Sequence, residues 1–340
     1  MPVDLRSDTV TRPCARMREI MAEAPVGDDV FDEDPSVHAL QDKAAALTGH
    51  EAGLFVPSGT MGNQIALLTH CRPGDDVLVG AGAHSFLYEA GGGAALAGVQ
   101  FSVIGQGGHF DADAVRAAIK TTDGAGHIPP TRLVSVENTH NRGGGKVMPP
   151  AVFAEIAAVA HEHGLAVHID GARIFNAAAS AGVGVDAWAR NADTITFCLS
   201  KALGAPVGSV LCGSKATIHR AHRYRKMLGG GMRQAGIIAA AGLYALENNV
   251  AGLVDDHARA HRLATALAAM PGAEIDVAGV QSNIVIFDVA GHSPAEVCAA
   301  VSDDVLVLPF GPTQIRAVLH REIGDEDIDR AIGALGRVLG

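Results

Sequence analysis

The amino-acid sequence predicts an α/β protein built on a mostly parallel central sheet with helices on both faces, followed by a smaller C-terminal α+β unit. Three observations carry that reading. Between Glu51 and about Gly213, short apolar β-rich segments (GLFV, DDVLVG, VQFSVI, TRLVSVE, LAVHID, TITFCLS and VGSVLCG) alternate with helical stretches, the rhythm of parallel strands joined by crossover helices. After about Leu253 the order changes to helix, NIVIFDV, PAEVCAAVSD, VLVLPFG, QIRAVLH and a last helix DEDIDRAIGALGRVL. At 340 residues the chain exceeds one average domain and can bury a large core, so an enzyme of two lobes is a better prior than a bare binding module.

Taken in order, the first 48 residues or so hold TRPCARMREIMAEA, a helix after a proline in its first turn, and the polar, turn-rich GDDVFDEDPSV; they read as an arm and a helix. The large domain is expected over 49–250 and the small one over 251–340. Within the large domain PPAVFAEIAAVAHEHG starts on proline, repeats apolar residues at helical spacing and stops at Gly164, the pattern of a crossover helix leading into LAVHID. No internal repeat or low-complexity linker interrupts the chain.

Composition excludes several classes. A formal net charge of -11 without any Lys/Arg cluster argues against nucleic acid and membrane surfaces as partners. Five scattered cysteines without CxxC spacing suggest neither a disulfide framework nor a zinc site, and no other His, Cys or carboxylate set has ligand spacing, so no metal is expected. The start MPVDLRSDTVT has charges where a signal peptide needs an apolar core, and no apolar run is long enough to span a bilayer. A cytoplasmic enzyme acting on a small molecule is the expectation.

In open α/β sheets ligands sit beyond the carboxyl ends of the strands, which singles out a few polar residues. VPSGTMGN ends a strand and opens a helix, so Ser58, Gly59 and Thr60 would offer backbone N–H groups and hydroxyls to a phosphate; the plainer reading is an ordinary helix cap. LAVHID delivers Asp170, with Arg173 just beyond: a solvated ion pair, or a carboxylate for a pyridinium nitrogen and a guanidinium for a ring hydroxyl or a substrate carboxylate. TITFCLS ends at Ser200 and Lys201, a surface terminator or a desolvated amine able to form a Schiff base. His84 follows DDVLVGAGA at another strand end, where it can stack on a planar cofactor or be a satisfied loop histidine. Phosphate loop, carboxylate and lysine occur in the order and on the edge that pyridoxal phosphate (PLP) chemistry requires.

The segments LRSDTVTRP, GDDVFDEDPSV, VPSGTMGN, TRLVSVENTH, HIDGARIFNAA, FCLSKALGAPVGSVL and RKMLGGGMRQAG together resemble the low-specificity L-threonine aldolases, PLP enzymes of fold type I. The likeness runs from residue 4 to about 245. It implies retro-aldol cleavage of L-threonine or L-allo-threonine to glycine and an aldehyde; β-elimination and transamination are the alternative PLP reactions, and a non-catalytic PLP carrier the alternative outside enzymology. By the resemblance, Lys201 binds the cofactor covalently, Asp170 meets the pyridine nitrogen, Arg173 lies near the ring hydroxyl and substrate, His84 stacks on the ring, and Gly59 and Thr60 serve the phosphate. His127 resembles a residue near the substrate's β-hydroxyl, and Ser7 and Arg316 resemble contacts to the substrate carboxylate. For Arg316 the plainer reading is a surface charge on an edge strand. Glu137 and Asn138 either shape the pocket or serve a loop. Lys226 and Arg233 resemble residues that reach a neighbouring subunit's site, which implies a homodimer or a dimer-of-dimers tetramer. The chain departs from the family pattern at Phe31 and Asp32, where tyrosine and glycine are expected, and at Ala202, where glycine is usual.

Overall fold

A computed structural model describes residues 1–120 and 126–340. The chain opens with a two-residue strand, β1 (Val3–Asp4), and the helices α1 (Ala15–Glu23) and α2 (Pro35–Thr48). α2 is fixed at both ends: Asp34 accepts from the amides of Ser36 and Val37, Pro35 fills the first turn, and Gly49 closes the helix at φ 72°.

The seven apolar segments form the strands β2 (Ala52–Val56), β3 (Asp76–Gly80), β4 (Gln100–Ile104), β5 (Thr131–Glu137), β6 (Ala166–Asp170), β7 (Thr194–Cys198) and β8 (Ser209–Gly213). They make one sheet in the order β2-β8-β7-β6-β5-β3-β4. The pairs from β4 through β7 are parallel, whereas β8 is antiparallel to both β7 and β2. The 199–208 connection, which carries Lys201, explains the reversal: it is too short for a crossover, so the chain turns back beside β7. β3, β7 and β8 are buried along their whole length, which is why they read as continuous apolar runs instead of alternating ones.

Helices cover the sheet: α3 (Gly59–His70), α4 (His84–Leu87), α5 (Ala112–Ala118), α6 (Pro150–Glu162), α7 (Ile174–Ala181), α8 (Asp186–Ala189), α9 (Lys215–Met227) and α10 (Gly236–Asn248). Phe55, Phe153, Trp188 and Phe197 are fully buried among them. α6 begins at Pro150 and is followed by Gly164 at φ 71°, as its sequence pattern requires.

The C-terminal part holds α11 (Leu253–Leu267), β9 (Ala273–Glu274), β10 (Ile284–Val289), α12 (Pro294–Ala300), β11 (Val305–Leu306), β12 (Leu308–Pro309), β13 (Gln314–Val318) and α13 (Asp325–Leu339). β12, β13, β10 and β9 form an antiparallel sheet in that order. VLVLPFG, expected as one strand, splits in two. Val305–Leu306 pairs in parallel with β1, and Leu308–Pro309 takes the edge beside β13, where Pro309 need not donate to a further neighbour. The N-terminal arm therefore packs with the C-terminal part, and Val3 and Leu5 share a core with Leu263, Phe287 and Leu335. No single helix among the described residues is long and apolar enough to cross a membrane.

Candidate active site

Four elements end on one edge of the large sheet, and each delivers a polar group there. β2 leads to Ser58, extended at φ -151°, whose Oγ caps α3 by accepting from the Met61 amide at 3.1 Å. The amides of Gly59 and Thr60 belong to the unpaired first turn, where the helix dipole favours an anion. A side chain at Gly59 would collide with Cys198, its Cβ lying 2.8 Å from Sγ, so this position admits only glycine without a shift. β6 ends on buried Asp170. Its Oδ2 accepts from Asn63 at 2.8 Å and its Oδ1 from the Ala172 amide at 3.2 Å, which suits an ionised carboxylate. Asn63 lies one turn along α3 from Gly59, so a single helix offers amides to a phosphate and holds the carboxylate, about 6 Å apart along its axis.

β3 leads to His84 at the head of α4. The His84 amide donates to Glu137 at 2.6 Å and its Nδ1 lies 3.1 Å from Glu89. Burial alone would lower the His84 pKa; the Glu89 hydrogen bond and the Asp170 charge carry it above its ordinary value. Glu137 pairs in register with Asp170 across the strands. Burial first, and the Asp170 charge second, push it up to about 7, so it shares the proton economy of the site. No metal is expected from sequence spacing, yet ligand atoms of His84, Glu89 and Asp170 gather within 4.8 Å of one another; the α4 segment supplies two of them and the end of β6 the third, a distance in sequence that no spacing rule spans.

In front of this edge lies a cavity of about 520 Å³ lined by Ser7, His84, Arg142, Arg173, Lys201 and Arg316, among others. A larger cavity of about 630 Å³, beside Phe175, Val183 and Val254, has no amine, guanidinium or imidazole in its lining. Arg316 sits on β13 between β10 and β12, not on an edge. It donates to Asn141 Oδ1 at 2.9 Å and to the Arg6 carbonyl at 3.2 Å and lies 4.8 Å from the Phe310 ring centroid. Its buried Nε has no partner, and no carboxylate pairs with it among the described residues. Burial, then the like charge of Arg173, lower its pKa. A half-buried guanidinium in that state lacks an anion.

Arg173 differs. Its Nε and Nη2 each bind fully buried Asp8 at 2.7 Å. Burial would raise the Asp8 pKa, but Arg173 holds it down at about 2. Arg173 thus enters the cavity already neutralised, a partnership the sequence did not disclose.

The other expected residues lie elsewhere in the protomer. His127 is exposed just before the amino end of β5, whereas the cavity adjoins the carboxyl end. Lys226 and Arg233 are exposed on either side of a glycine turn that packs on Met61, next to the α3 cap, and Arg233 pairs with Asp28 at 3.0 Å. Asn138 is buried and bonds the Met148 backbone, a loop role. Ala202 is buried with its backbone outside the left-handed region, so the methyl in place of the usual glycine is accommodated. Residues that the sequence did not single out include Asn63, Glu89, Asp8, Asn141 and Arg142.

A carboxylate, an amine and a helix N-terminus on one edge of a mostly parallel sheet make the donor set of a PLP enzyme of fold type I, and the residues present fit that cofactor. Residues 4–290 match the family model described as beta-eliminating lyase. A probable low-specificity L-threonine aldolase 2 of Arabidopsis thaliana is 43% identical, covering 99% of this chain and 97% of the relative. The low specificity L-threonine aldolase of Escherichia coli K12 is 45% identical, with 96% of each chain covered. A solved threonine aldolase of Leishmania major superposes with a TM-score of 0.85 at 19% identity over 100% of both chains, a likeness of fold. The chain belongs to the beta-eliminating lyase family, in the low-specificity L-threonine aldolase group.

Proposed function

We propose that this protein cleaves the Cα–Cβ bond of L-threonine or L-allo-threonine, releasing glycine and acetaldehyde, with PLP as cofactor and with related β-hydroxy-α-amino acids giving the corresponding aldehydes. The observation that carries the reading is Arg316, a half-buried guanidinium without a counter-charge facing the cavity that Lys201 and His84 also line. An amino acid's carboxylate supplies the missing anion. Lys201 would hold the cofactor covalently, Asp170 its ring nitrogen, and Ser58, Gly59 and Thr60 its phosphate, with His84 against the ring. When bound, PLP supplies an electron-accepting ring that stabilises the charge left on Cα.

The chain's own residues do the rest. Arg316, Ser7 and Arg173 anchor the carboxylate and so decide which Cα bond stands in the reactive orientation. His84, directly or through a water, takes the proton from the β-hydroxyl as the bond breaks. Lys201 returns a proton to Cα. The enzyme works in the cytoplasm as a homodimer or a tetramer of two dimers, in which Lys226 and Arg233 complete the neighbouring copy's phosphate end; His127, exposed before the amino end of β5, would meet the substrate's β-hydroxyl in a neighbouring copy.

The test is an assay of the purified protein with L-threonine, L-allo-threonine and L-serine, following glycine, aldehyde and pyruvate. Equimolar glycine and acetaldehyde is the expected result. Pyruvate from serine without glycine from threonine would replace the aldolase reading with β-elimination. For the shared site, hybrids of inactive Lys201→Ala and inactive Arg233→Ala subunits should regain activity, since one site of each hybrid is intact; verified hybrids without recovery would remove the subunit contribution.

A further inference from the structure

We propose that Glu89, tied to Asp170 through Asn63, is the positioning residue that fixes the tautomer of His84 and leaves Nε2 as its basic nitrogen. The case rests on counting donors and acceptors. The Asn63 amide nitrogen lies 2.8 Å from both Glu89 Oε1 and Asp170 Oδ2, so its two N–H bonds go to two carboxylates. Reversing the amide would set its oxygen against both, so the orientation is fixed. Its oxygen must then accept, and the nearest donor is His168 Nε2 at 3.2 Å. His168 is buried and neutral, pushed down to about 4 by burial, so with the proton on Nε2 its Nδ1 accepts from the Thr194 hydroxyl at 2.9 Å. Thr194 in turn accepts from His70 Nε2 at 3.0 Å. Every member from His70 to Asn63 has one permitted orientation.

Glu89 closes the network at the site. It is buried, and as a carboxylate it only accepts. Its Oε2 accepts a hydrogen bond from Gln64 at 2.8 Å, and Oε1 accepts one from Asn63 and lies 3.1 Å from His84 Nδ1. His84 must therefore carry hydrogen on Nδ1, and in the neutral ring Nε2, which has no partner among the described residues, holds the lone pair. The backbone makes room for this: a Cβ at Gly92 would lie 2.8 Å from the Gln64 carboxamide carbon and push it away from Glu89. The three side chains that could by spacing hold a cation are thus linked by amide hydrogens pointing at the carboxylate oxygens, where a cation would have to displace Asn63. A carboxylate oriented by amides and facing an imidazole is the arrangement that orients histidine bases elsewhere.

The inference rests on the proposed role of His84 as base, and its test separates the two. In the cofactor-loaded protein labelled with ¹⁵N-histidine, ring nitrogen shifts read each tautomer, and His84→Asn identifies the His84 signals. Hydrogen on Nδ1 of His84 is expected. In Glu89→Gln the new amide either faces Gln64, whose free Oε1 can turn to accept it, or turns its N–H toward His84 Nδ1, in which case the signal should move toward the Nε2–H form. Cofactor content should stay unchanged and KM within about threefold, while kcat falls about 10²-fold. Hydrogen on Nε2 in the unmodified protein overturns the proposal, and so does a Glu89→Gln protein whose His84 signal has moved while kcat is unchanged. Should Glu89→Gln fail to fold, the tautomer of the unmodified protein still decides. Nδ1–H in a protein that releases no glycine from threonine would support the positioning role and sink only the reading of the reaction.

Discussion

The two halves of the cavity are built on opposite principles. The side proposed for the cofactor is a buried framework in which Asn63 ties Asp170 to Glu89, while Glu137, beside Asp170 at the end of β5, accepts from the amides of His84 and Asn141. The substrate side is assembled from the extremes of the chain: Ser7 comes from the arm, Arg316 from the C-terminal sheet, and the latter keeps an orphaned Nε. A framework whose carboxylates all have donors suits a permanent ligand, whereas a guanidinium left short of an anion is completed by a ligand that comes and goes. Breaking the two sides should therefore give different phenotypes.

The largest effect belongs to the cofactor side. Lys201→Ala should abolish borohydride-trappable covalent cofactor and lower turnover by about 10³-fold or more; trapping at another lysine with activity retained would move the site away from β7. The substrate side should separate the functions. Arg316→Leu is expected to keep bound PLP and its absorbance while kcat/KM falls by about 10²–10³-fold, the value of one desolvated charge-assisted pair (~2–5 kcal/mol). Arg316→Lys should recover little, because an ammonium cannot reproduce the planar fork. Kinetics within threefold of the parent in Arg316→Leu, measured alongside PLP content, would erase the contrast between the halves.

Asp8 and Arg173 lie where the halves meet, and their pair is structural before it is chemical. Because the folded-state pKa of Asp8, about 2, lies below the ordinary carboxylate value, the pair stabilises the fold at and above that ordinary value. This stability is lost as pH falls from roughly 4 towards 2, and its size is about 2 kcal/mol. Asp8→Asn should lower the unfolding free energy from urea titration at pH 7 by at least that order and flatten the decline in acid. Equal acid slopes for the two proteins would show that another carboxylate governs the decline.

The contrast also explains what the sequence could tell. Asp170, Lys201, His84 and the Ser58 cap are legible because each follows a recognisable apolar strand, and the topology then puts strand ends together. Asn63 is not, since an asparagine inside a helix reads as a solvated position until the sheet beneath it is known. Glu89 lies beyond the four-residue α4 in a stretch without periodicity. Arg316 was visible on its strand, yet its partners Asn141 and Arg6 lie 175 and 310 residues away, and no local pattern records a pairing at that distance. VLVLPFG was misread as one strand because β1, which claims half of it, is only two residues long. His127 was placed by resemblance alone, and the single chain leaves it on the far side of β5.

The smallest effect should come from the turn outside both halves where the chain departs from its family. Asp32 ends a short helical turn at φ 60° and ψ 41°, a left-handed conformation that glycine adopts freely and that aspartate tolerates better than most residues. Glycine is thus the family's easy solution here, and aspartate occupies it at a cost of roughly 1 kcal/mol. Two terms offset the relief that Asp32→Gly would bring. Glycine widens the unfolded ensemble by about 0.4–1 kcal/mol, and the exposed contact of His38 Nε2 with Asp32 at 2.8 Å, worth little at such exposure, disappears. The net change should be within about 0.5 kcal/mol of zero, a Tm shift of no more than about 2 °C, with kcat/KM unchanged within twofold. Phe31 beside it is 69% exposed, so a tenfold change in kcat/KM at constant Tm would show instead that this turn reaches an active site, and in this fold the site it could reach is that of a neighbouring copy.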